Sequence, residues 1–167
     1  DRVIVATGAE PARPWWVPPD QANVCDVRDV LAGTAAPFGD VVVIDELGFH
    51  HATSVAELLA DRGCAVEIVT NGMVVGQDLG ITLDMENWWL RATSKGIVQT
   101  TDSVIVGLDD GALTVLHHPT GQTAPKTADW VVLAVPAQPA EALYRELKGR
   151  LAGSATALHR VGDCVAP

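Results

Sequence analysis

A turn rich in polar side chains follows the β-branched run Val41–Ile44. It reads Asp-Glu-Leu-Gly-Phe-His-His-Ala-Thr over residues 45–53. In a dinucleotide site, a turn with the pattern Gly-x-Gly-x-x-Gly lets the backbone approach a pyrophosphate at a helix N-terminus. Only Gly48 of that pattern is present, and two carboxylates at the start of the turn oppose a pyrophosphate electrostatically. The sequence is therefore compatible with a nucleotide-binding turn and with a purely structural one.

The end of the next strand is the second place where a nucleotide would be recognised. An acidic residue there usually binds the adenosine ribose, and an arginine accommodates a 2′-phosphate. Here Val69 is followed by Thr70, Asn71 and Gly72, so neither residue type is present. Thr70 and Asn71 carry hydroxyl and amide groups that can still contact a ribose. The predicted cofactor contacts in this part of the chain are Gly48, Phe49, His50, His51, Thr53, Thr70 and Asn71.

Two other chemistries have weaker support. The pair His50–His51 lies near Asp45 and Glu46, but adjacent residues rarely point the same way and no spaced third and fourth metal ligands follow. Ser54 could form a Ser-His-Asp triad with histidines and aspartates elsewhere in the chain, yet the Gly-x-Ser-x-Gly turn of hydrolases is absent. We therefore predict no catalytic residue and no metal ligand.

A β–α–β unit must position these residues. Apolar residues recur at helical spacing over residues 53–62, which predicts a helix that Gly63 ends. The strand Ala65–Val69 follows, so the helix connects two parallel strands. The turn before this helix is then about two residues longer than usual. Further predicted elements are helices at 26–31, 84–95 and 141–151 and extended segments at 2–6, 98–101, 103–108, 112–117 and 130–135.

The charge balance excludes several classes of partner. The 167 residues carry a formal net charge of −10 and their lysines and arginines form no cluster, so neither nucleic acid nor an anionic membrane surface is an expected partner. No apolar run approaches the ~20 residues that span a bilayer. Three cysteines without a Cys-x-x-Cys pair are typical of the reducing cytoplasm, where we expect the protein to reside.

Four segments follow one another in an order that carries a family resemblance. Residues 3–11 contain Ala6-Thr7-Gly8, the β–α–β unit comes next, residues 129–135 read Asp-Trp-Val-Val-Leu-Ala-Val, and residues 161–163 read Val-Gly-Asp. This order resembles flavoproteins with two dinucleotide-binding domains. It is more closely similar to the C-terminal half of the multidomain old-yellow-enzyme family, of 2,4-dienoyl-CoA reductase, trimethylamine dehydrogenase and histamine dehydrogenase type. Residues 43–51 resemble the trimethylamine dehydrogenase branch, in which aspartate also replaces the first glycine and the domain holds ADP.

The resemblance implies an α/β fold: a Rossmann-like FAD/NAD(P)-binding domain in three layers, with a parallel sheet and an antiparallel β-meander. Residues 39–135 would form the nucleotide-binding domain. Residues 1–38 would be a remnant of the FAD domain with a connector, and residues 136–167 would return toward the FAD domain. In that family the aspartate of the Gly-Asp motif meets the ribityl chain of the flavin. The residues expected at an FAD site are therefore Ala6, Thr7, Gly8, Gly162 and Asp163.

The resemblance also implies electron transfer within a larger parent protein. FMN, a 4Fe–4S cluster and most of the FAD site would belong to a barrel domain and an FAD half outside this chain. Those domains are the expected partners, together with a second copy of the chain through exposed apolar surface. The nucleotide bound here would be NAD(P) or ADP.

Three hypotheses follow for the role of this chain. It is a module that passes hydride from NAD(P)H to FAD, a module that holds ADP as part of the structure, or a degenerate domain that serves as a scaffold. The chain alone is expected to have no turnover, because its flavin site is incomplete.

Overall fold

The computed structural model describes all residues, 1–167, in two compact units. The larger unit comprises residues 13–135, and the smaller one comprises residues 1–12 and 136–167. The strands are β1 (Arg2–Val5), β2 (Ala9–Glu10), β3 (Val24–Asp26), β4 (Asp40–Asp45), β5 (Ala65–Thr70), β6 (Val98–Thr100), β7 (Ser103–Asp109), β8 (Ala112–His117), β9 (Gln122–Thr127), β10 (Trp130–Ala134), β11 (Gln138–Pro139) and β12 (Ala157–Arg160). The helices are α1 (Val27–Ala32), α2 (His50–Asp61), α3 (Met85–Ser94) and α4 (Ala142–Arg150), with short 3-10 helices at Gln77–Thr82 and Gly162–Cys164. None of the helices is long and apolar enough to cross a membrane.

A five-stranded parallel sheet forms the centre of the larger unit. Its strand order is β3-β10-β4-β5-β6, and every neighbouring pair is parallel. Residues 41–45 of β4 are all buried, which is typical of a strand covered on both faces. The β-branched run at 41–44 favours such a strand because these side chains pack well on a pleated surface. The predicted α/β, Rossmann-like fold is confirmed.

Helix α2 packs one face into the core of the larger unit. Ala52, Val55, Ala56 and Leu59 are completely buried, and their spacing of three and four residues places them on one side of the helix. The helix begins at His50, three residues earlier than predicted, because its polar first turn lies outside the apolar repeat. The turn before the helix therefore contains residues 46–49 and is shorter than the sequence indicated.

An antiparallel meander of β7, β8 and β9 completes the larger unit, as predicted. Its third strand, β9, was not predicted, because most of its side chains are exposed and it contains Pro125. Proline is tolerated there because β9 lies at the edge of the sheet, where a missing N–H breaks no ladder. The segment predicted at 130–135 instead forms β10 in the parallel sheet.

The first 38 residues do not form one structural segment. Strand β3 pairs with β10, with Val24 level with Val131, and Val27 and Val30 of α1 are buried in the main core. Residues 13–38 therefore belong to the larger unit, and the boundary lies at residue 12 instead of residue 38. The sequence does not show this boundary because β3 pairs with β10, a strand more than 100 residues later in the chain.

The smaller unit contains two small sheets and one helix. Strands β1 and β12 are parallel, with Val5 level with Arg160, and β2 pairs with β11 in the antiparallel direction. Helix α4 is held by ionic contacts at its start: Glu141 accepts from Arg145 at 2.6 Å and from Arg160, whose guanidinium also lies 5.0 Å from the ring centre of Tyr144.

We predict that the substitution Trp88→Phe destabilises the larger unit by about 1–3 kcal/mol. Trp88 is 1% exposed, and its indole N–H donates to the carbonyl oxygen of Thr53 at 3.3 Å, so phenylalanine leaves a void and removes this hydrogen bond. The free energy of unfolding of each variant is measured by chemical denaturation. The matched control is Trp15→Phe, since Trp15 is 83% exposed, and it should change the free energy of unfolding by less than about 0.5 kcal/mol. Equal effects of the two variants would contradict the assignment of Trp88 to the core.

Candidate functional site

The candidate site lies at the carboxyl ends of the central strands. The register places Asp45, the last residue of β4, level with Thr70 of β5 on one side and Ala134 of β10 on the other. The strand order reverses at β4, because the chain continues from β4 to β5 on one side while β10 occupies the other side. Open α/β sheets bind ligands at the carboxyl ends of strands beside such a reversal.

A cavity of about 140 Å³ opens at this edge, and we call it the carboxyl-end pocket. It is smaller than the roughly 300–1,000 Å³ typical of pockets that enclose a whole small molecule, so it matches part of a nucleotide. Its lining residues are Glu46, Leu47, Gly48, Thr70, Asn71, Gly72, Val74, Gln77 and Asp78.

Asp45 is a buried carboxylate that directly precedes the lining residues Glu46, Leu47 and Gly48 in the chain. Its Oδ1 accepts hydrogen bonds from the backbone N–H groups of Leu47 at 3.1 Å and Gly48 at 2.8 Å. Its Oδ2 is also buried and has no hydrogen-bond partner. Burial raises the pKa of this carboxyl above its ordinary value, and the two backbone donors offset only part of that shift. The residue in the position of the first glycine of a dinucleotide turn thus binds the turn itself.

Gly48 shapes the turn and connects it to the loop after β5. Its φ of +64° lies in the left-handed region, which glycine adopts without strain. Its carbonyl oxygen accepts from the backbone N–H of Asp78 at 2.9 Å, so the loop at residues 71–78 closes over the turn. The sequence did not identify Gln77 and Asp78 as pocket residues. The available signal was Gly76, whose φ of +71° and close approach to Leu79 permit the tight turn that returns the chain to Gly48.

The structure brings three of the predicted contacts together in the pocket: Gly48, Thr70 and Asn71. The Thr70 hydroxyl accepts from the backbone N–H of Gly72 at 3.2 Å, which fixes its position at the strand end. The Asn71 side chain is exposed and makes no hydrogen bond within the chain, while its carbonyl oxygen lies 3.1 Å from Nε2 of His118. Asn71 therefore offers both an amide donor and an acceptor to a ligand.

Four other predicted contacts do not line the pocket. Phe49 precedes the first turn of α2 and stacks edge-on against the imidazole of His50, with 4.4 Å between ring centres. His51 lies exposed in that first turn. Thr53 is buried, and its hydroxyl donates to the carbonyl oxygen of Phe49 at 3.3 Å, so it is engaged within the helix.

The charge around the pocket is negative. Glu46 and Asp78 line it, Asp45 is close to Glu46, and no lysine or arginine is among the lining residues. Burial and the neighbouring Asp45 raise the pKa of Glu46, which is the shift expected when carboxylates crowd one another. Two like unit charges 4 Å apart repel by about 1 kcal/mol in water and by about 4 kcal/mol at the effective dielectric near a protein surface. A diphosphate in this pocket would therefore be opposed by its surroundings.

The nearest helices carry basic side chains that other carboxylates already bind. Arg91 of α3 contacts Glu57 at 3.0 Å and Asp84 at 3.2 Å. Lys95 lies 2.7 Å from Asp61 of α2. These ion pairs connect α2 with α3 and leave the positive charges engaged away from the pocket.

The smaller unit assembles the second set of predicted contacts. Ala6, Thr7 and Gly8 follow β1, and Gly162 and Asp163 follow β12. Because these strands are parallel, both segments lie at the same edge of their sheet, where the N–H of Val161 donates to the carbonyl oxygen of Val5 at 3.0 Å. The Thr7 hydroxyl donates to the carbonyl oxygen of Ala140 at 2.6 Å, and the Asp163 side chain is exposed.

The three cysteines show no sign of thiol chemistry. Burial, with the charges of Asp29 and Asp26, raises the pKa of the Cys25 thiol to about 12. Burial also raises the pKa of Cys64. Cys164 is completely buried and donates to the carbonyl oxygens of Val161 and Val5. A nucleophilic cysteine needs a depressed pKa and access to its substrate, and none of the three combines these.

The parallel sheet, its reversed strand order and the pocket at the strand ends define a Rossmann-like, nucleotide-binding type of domain. Comparison with known proteins shows which oxidoreductases contain a similar domain. The chain is 28% identical to 6-hydroxypseudooxynicotine amine oxidase of Pseudomonas geniculata N1, with a TM-score of 0.87 over 100% of this chain and 26% of that one. It is 27% identical to the N,N-dimethylglycine/sarcosine dehydrogenase of Chromohalobacter salexigens over 100% of this chain and 29% of the relative.

A third relative shares the fold at lower identity. Histamine dehydrogenase from Rhizobium sp. 4-9 superimposes with a TM-score of 0.86 and 20% identity, over 100% of this chain and 26% of that one. No family model matches the chain. The chain spans less than a third of the length of each of these relatives. The resemblance to the C-terminal, nucleotide-binding half of the multidomain old-yellow-enzyme family is confirmed.

We predict that Asp45→Asn stabilises the protein at neutral pH by about 1 kcal/mol. The pKa of Asp45 is raised by folding, so the folded state disfavours its charge. Its contribution to the free energy of unfolding therefore falls as pH rises from the ordinary value of 3.8 through the raised pKa, and the deficit persists at neutral pH. Asparagine keeps an oxygen for the N–H groups of Leu47 and Gly48 and removes the charge.

Thermal denaturation at several pH values tests this expectation. The gain of Asp45→Asn should shrink below pH 3.8, where the wild-type carboxyl is protonated in both states. The exposed Asp20 supplies the matched control, and Asp20→Asn should leave the midpoint unchanged at every pH. A loss of stability at neutral pH in Asp45→Asn would show that the charged carboxylate is favourable and would refute this account of its burial.

Proposed function

We propose that this chain is the nucleotide-binding half of a flavin-dependent oxidoreductase that oxidises amines. We further propose that its larger unit holds an adenine nucleotide as part of the structure and does not use NAD(P)H as a hydride donor. In the intact protein, electrons would pass from the amine through FMN and a 4Fe–4S cluster outside this chain, in the cytoplasm. FAD or the bound nucleotide would be carried by this half.

The observation that carries the proposal is the match over the whole chain to two proteins named for amine oxidation. An amine oxidase aligns at 28% identity with a TM-score of 0.87, and a dimethylglycine/sarcosine dehydrogenase aligns at 27% identity. Each relative is at least three times as long as this chain. The chemistry on the amine would therefore belong to the part of such a protein that this chain does not cover.

The larger unit supports a nucleotide role without hydride transfer. Hydride transfer requires the nicotinamide ring to be held in a fixed position against a flavin, and that position depends on an anchored pyrophosphate. The carboxyl-end pocket is small, the N–H groups of Leu47 and Gly48 in its turn are bound to Asp45, and its charge is negative. Thr70 and Asn71 remain available for a ribose.

The smaller unit has residues that fit part of an FAD site. Asp163 is an exposed carboxylate at the edge where β1 and β12 end, so it can accept hydrogen bonds from flavin hydroxyl groups. Gly162 and Gly8 present backbone without side chains, and no atom lies within 4 Å of a Cβ built at either position. A bound flavin supplies the capacity to accept two electrons.

A scaffold that binds no nucleotide is the second candidate. It is favoured by one observation, the bonding of Asp45 to the N–H groups of Leu47 and Gly48, because these two donors need no ligand to satisfy them. The partners of such a scaffold would be the FAD half and the barrel domain of the parent, or a second copy of the chain.

The substrate proposal is tested by anaerobic reduction of the full-length flavoprotein. Dimethylglycine, sarcosine or histamine should bleach the visible flavin absorbance, whereas NADH and NADPH should do so at least about 100-fold more slowly, because no site positions the nicotinamide. A non-oxidisable quaternary amine is the control for bleaching that does not depend on amine oxidation. Reduction by NADH as fast as by every amine tested would instead support the hydride-transfer hypothesis.

We expect Asp163→Ala to lower the affinity of the full-length protein for FAD about tenfold or more, since a hydrogen bond to a charged group contributes about 1.5–3 kcal/mol. The measurement is fluorescence of FAD released during dialysis. The matched control is Glu146→Ala, which removes another carboxylate of the smaller unit, one paired on the surface with Arg150 at 2.8 Å. Full FAD retention by Asp163→Ala would remove Asp163 from the proposed site.

A further inference from the structure

We propose that the larger unit has a second binding site, which takes a small zwitterionic amino acid. The site is a cavity of about 420 Å³ between the edge of the parallel sheet and the antiparallel meander, and we call it the interlayer cavity. Its volume lies within the roughly 300–1,000 Å³ typical of small-molecule sites. Its lining residues are Thr100, Thr101, Ser103, Val115, His117, Gln122, Thr123, Ala124, Pro125 and Lys126. None of them lines the carboxyl-end pocket, so the second site does not depend on the nucleotide role of the first.

An ion pair connects the two layers beside this cavity. Nζ of Lys126, in β9, lies 2.8 Å from Oε2 of Glu67, in β5. The hydroxyl of Thr100, at the end of β6, donates to the other carboxylate oxygen of Glu67 at 2.6 Å. Both oxygens of Glu67 are therefore bonded within the chain. The ammonium of Lys126 has three N–H donors and uses one of them, so two remain for a ligand.

The lining residues at the end of β6 and the start of β7 carry hydroxyl oxygens that can only accept. The hydroxyls of Thr100, Thr101 and Ser103 already donate within the chain. Their acceptors are Glu67, Oδ2 of Asp102 at 3.1 Å and the carbonyl oxygen of Thr101 at 2.8 Å. A hydroxyl has one hydrogen and two lone pairs, so each oxygen keeps the capacity to accept and has lost the capacity to donate. This side of the cavity is complementary to a hydrogen-bond donor such as an ammonium group.

The lining residues of β9 supply donors instead. Lys126 and Gln122 are four residues apart in this strand, so their side chains lie on the same face of the meander. The side-chain amide of Gln122 makes no hydrogen bond within the chain, and its two N–H groups add to the two free donors of Lys126. A carboxylate forms its stronger hydrogen bonds with charged donors such as an ammonium. This side of the cavity is therefore complementary to a carboxylate.

The charge balance favours a zwitterion over a simple anion or cation. Lys126 is the one charged side chain among the lining residues, and its partner Glu67 balances it. A lone carboxylate would be attracted by Lys126 and repelled by Glu67, and a lone ammonium would be repelled by Lys126. An amino acid combines both groups at no net charge, so each can meet its complementary wall. Val115, which is 8% exposed, offers an apolar surface for the carbon chain between them.

Calorimetric titration of the full-length protein with glycine, β-alanine and 4-aminobutyrate tests the proposal, because these amino acids differ in the distance between their charges. At least one should bind about tenfold or more tightly than acetate and methylammonium, which each carry one of the two groups. The double variant Lys126→Met/Glu67→Gln removes the ion pair without leaving an unpaired charge, and it should weaken that binding about tenfold or more. The matched control is Arg150→Met/Glu146→Gln, which removes a surface ion pair of 2.8 Å in the smaller unit and should leave the affinity unchanged.

Three results would overturn the proposal. The first is binding of none of the amino acids, and the second is binding of acetate or methylammonium as tight as that of every amino acid. The third is an amino-acid affinity that the Lys126→Met/Glu67→Gln variant leaves unchanged, which would place the binding elsewhere in the protein. If this variant does not fold, Gln122→Ala replaces it, since Gln122 is exposed and its truncation should not affect folding. Gln122→Ala should weaken binding severalfold, and an unchanged affinity would count against the proposal equally.

Discussion

The parallel pairing of β4 with β10 is the contact on which the larger unit depends. These strands are distant in sequence, and hydrogen bonds fix both ends of the pair. At the start, the Asp129 side chain accepts from the N–H of Asp40 at 2.8 Å across 89 residues, and the N–H of Asp129 donates back to Asp40. At the end, the N–H of Glu46 donates to Ala134. Because β10 also pairs with β3, this one strand connects β3 to the rest of the sheet.

The position of the pocket follows from that pairing. With β10 on one side of β4 and β5 on the other, the chain leaves β4 at Asp45, level with Thr70 and Ala134, and α2 begins five residues later at His50. The turn then contains only residues 46–49, which is too short for its N–H groups to bond to one another as in a helix. They require an acceptor at this place, and Asp45 supplies one from inside the chain.

The sequence predicted those parts of the structure that repeat a regular pattern. The β-branched run of β4 and the apolar stripe of α2 both depend on periodicity, and both were located from it. The start of α2 was misplaced because His50 and His51 are helical without being apolar. Strand β9 was missed because an exposed edge strand containing Pro125 has no buried face to produce alternation.

The pocket was only partly predictable for a different reason. Gly48, Thr70 and Asn71 follow strands, and residues at the ends of neighbouring parallel strands must be close together. Gln77 and Asp78 reach the same place through a loop whose path is set by the hydrogen bond from Asp78 to Gly48. No spacing rule in the sequence encodes that bond. The burial of Asp45 likewise depends on the strands on both sides of it, which a linear pattern does not show.

The residues that stabilise the fold are different from the residues that line the pocket, so the turn can change while the fold is kept. The side chains that hold α2 on the sheet, among them Val43, Leu59 and Trp88, lie in the core and none of them lines the pocket. A glycine turn leaves its N–H donors to the ligand, so that the anion completes the structure when it binds. With Asp45, the N–H groups of Leu47 and Gly48 are bonded within the chain, at the cost of one buried, unpartnered acceptor and of charge close to Glu46. An exchange of the first glycine for Asp45 therefore alters the turn without any change in the sheet, because the core residues beneath the turn lie outside the pocket.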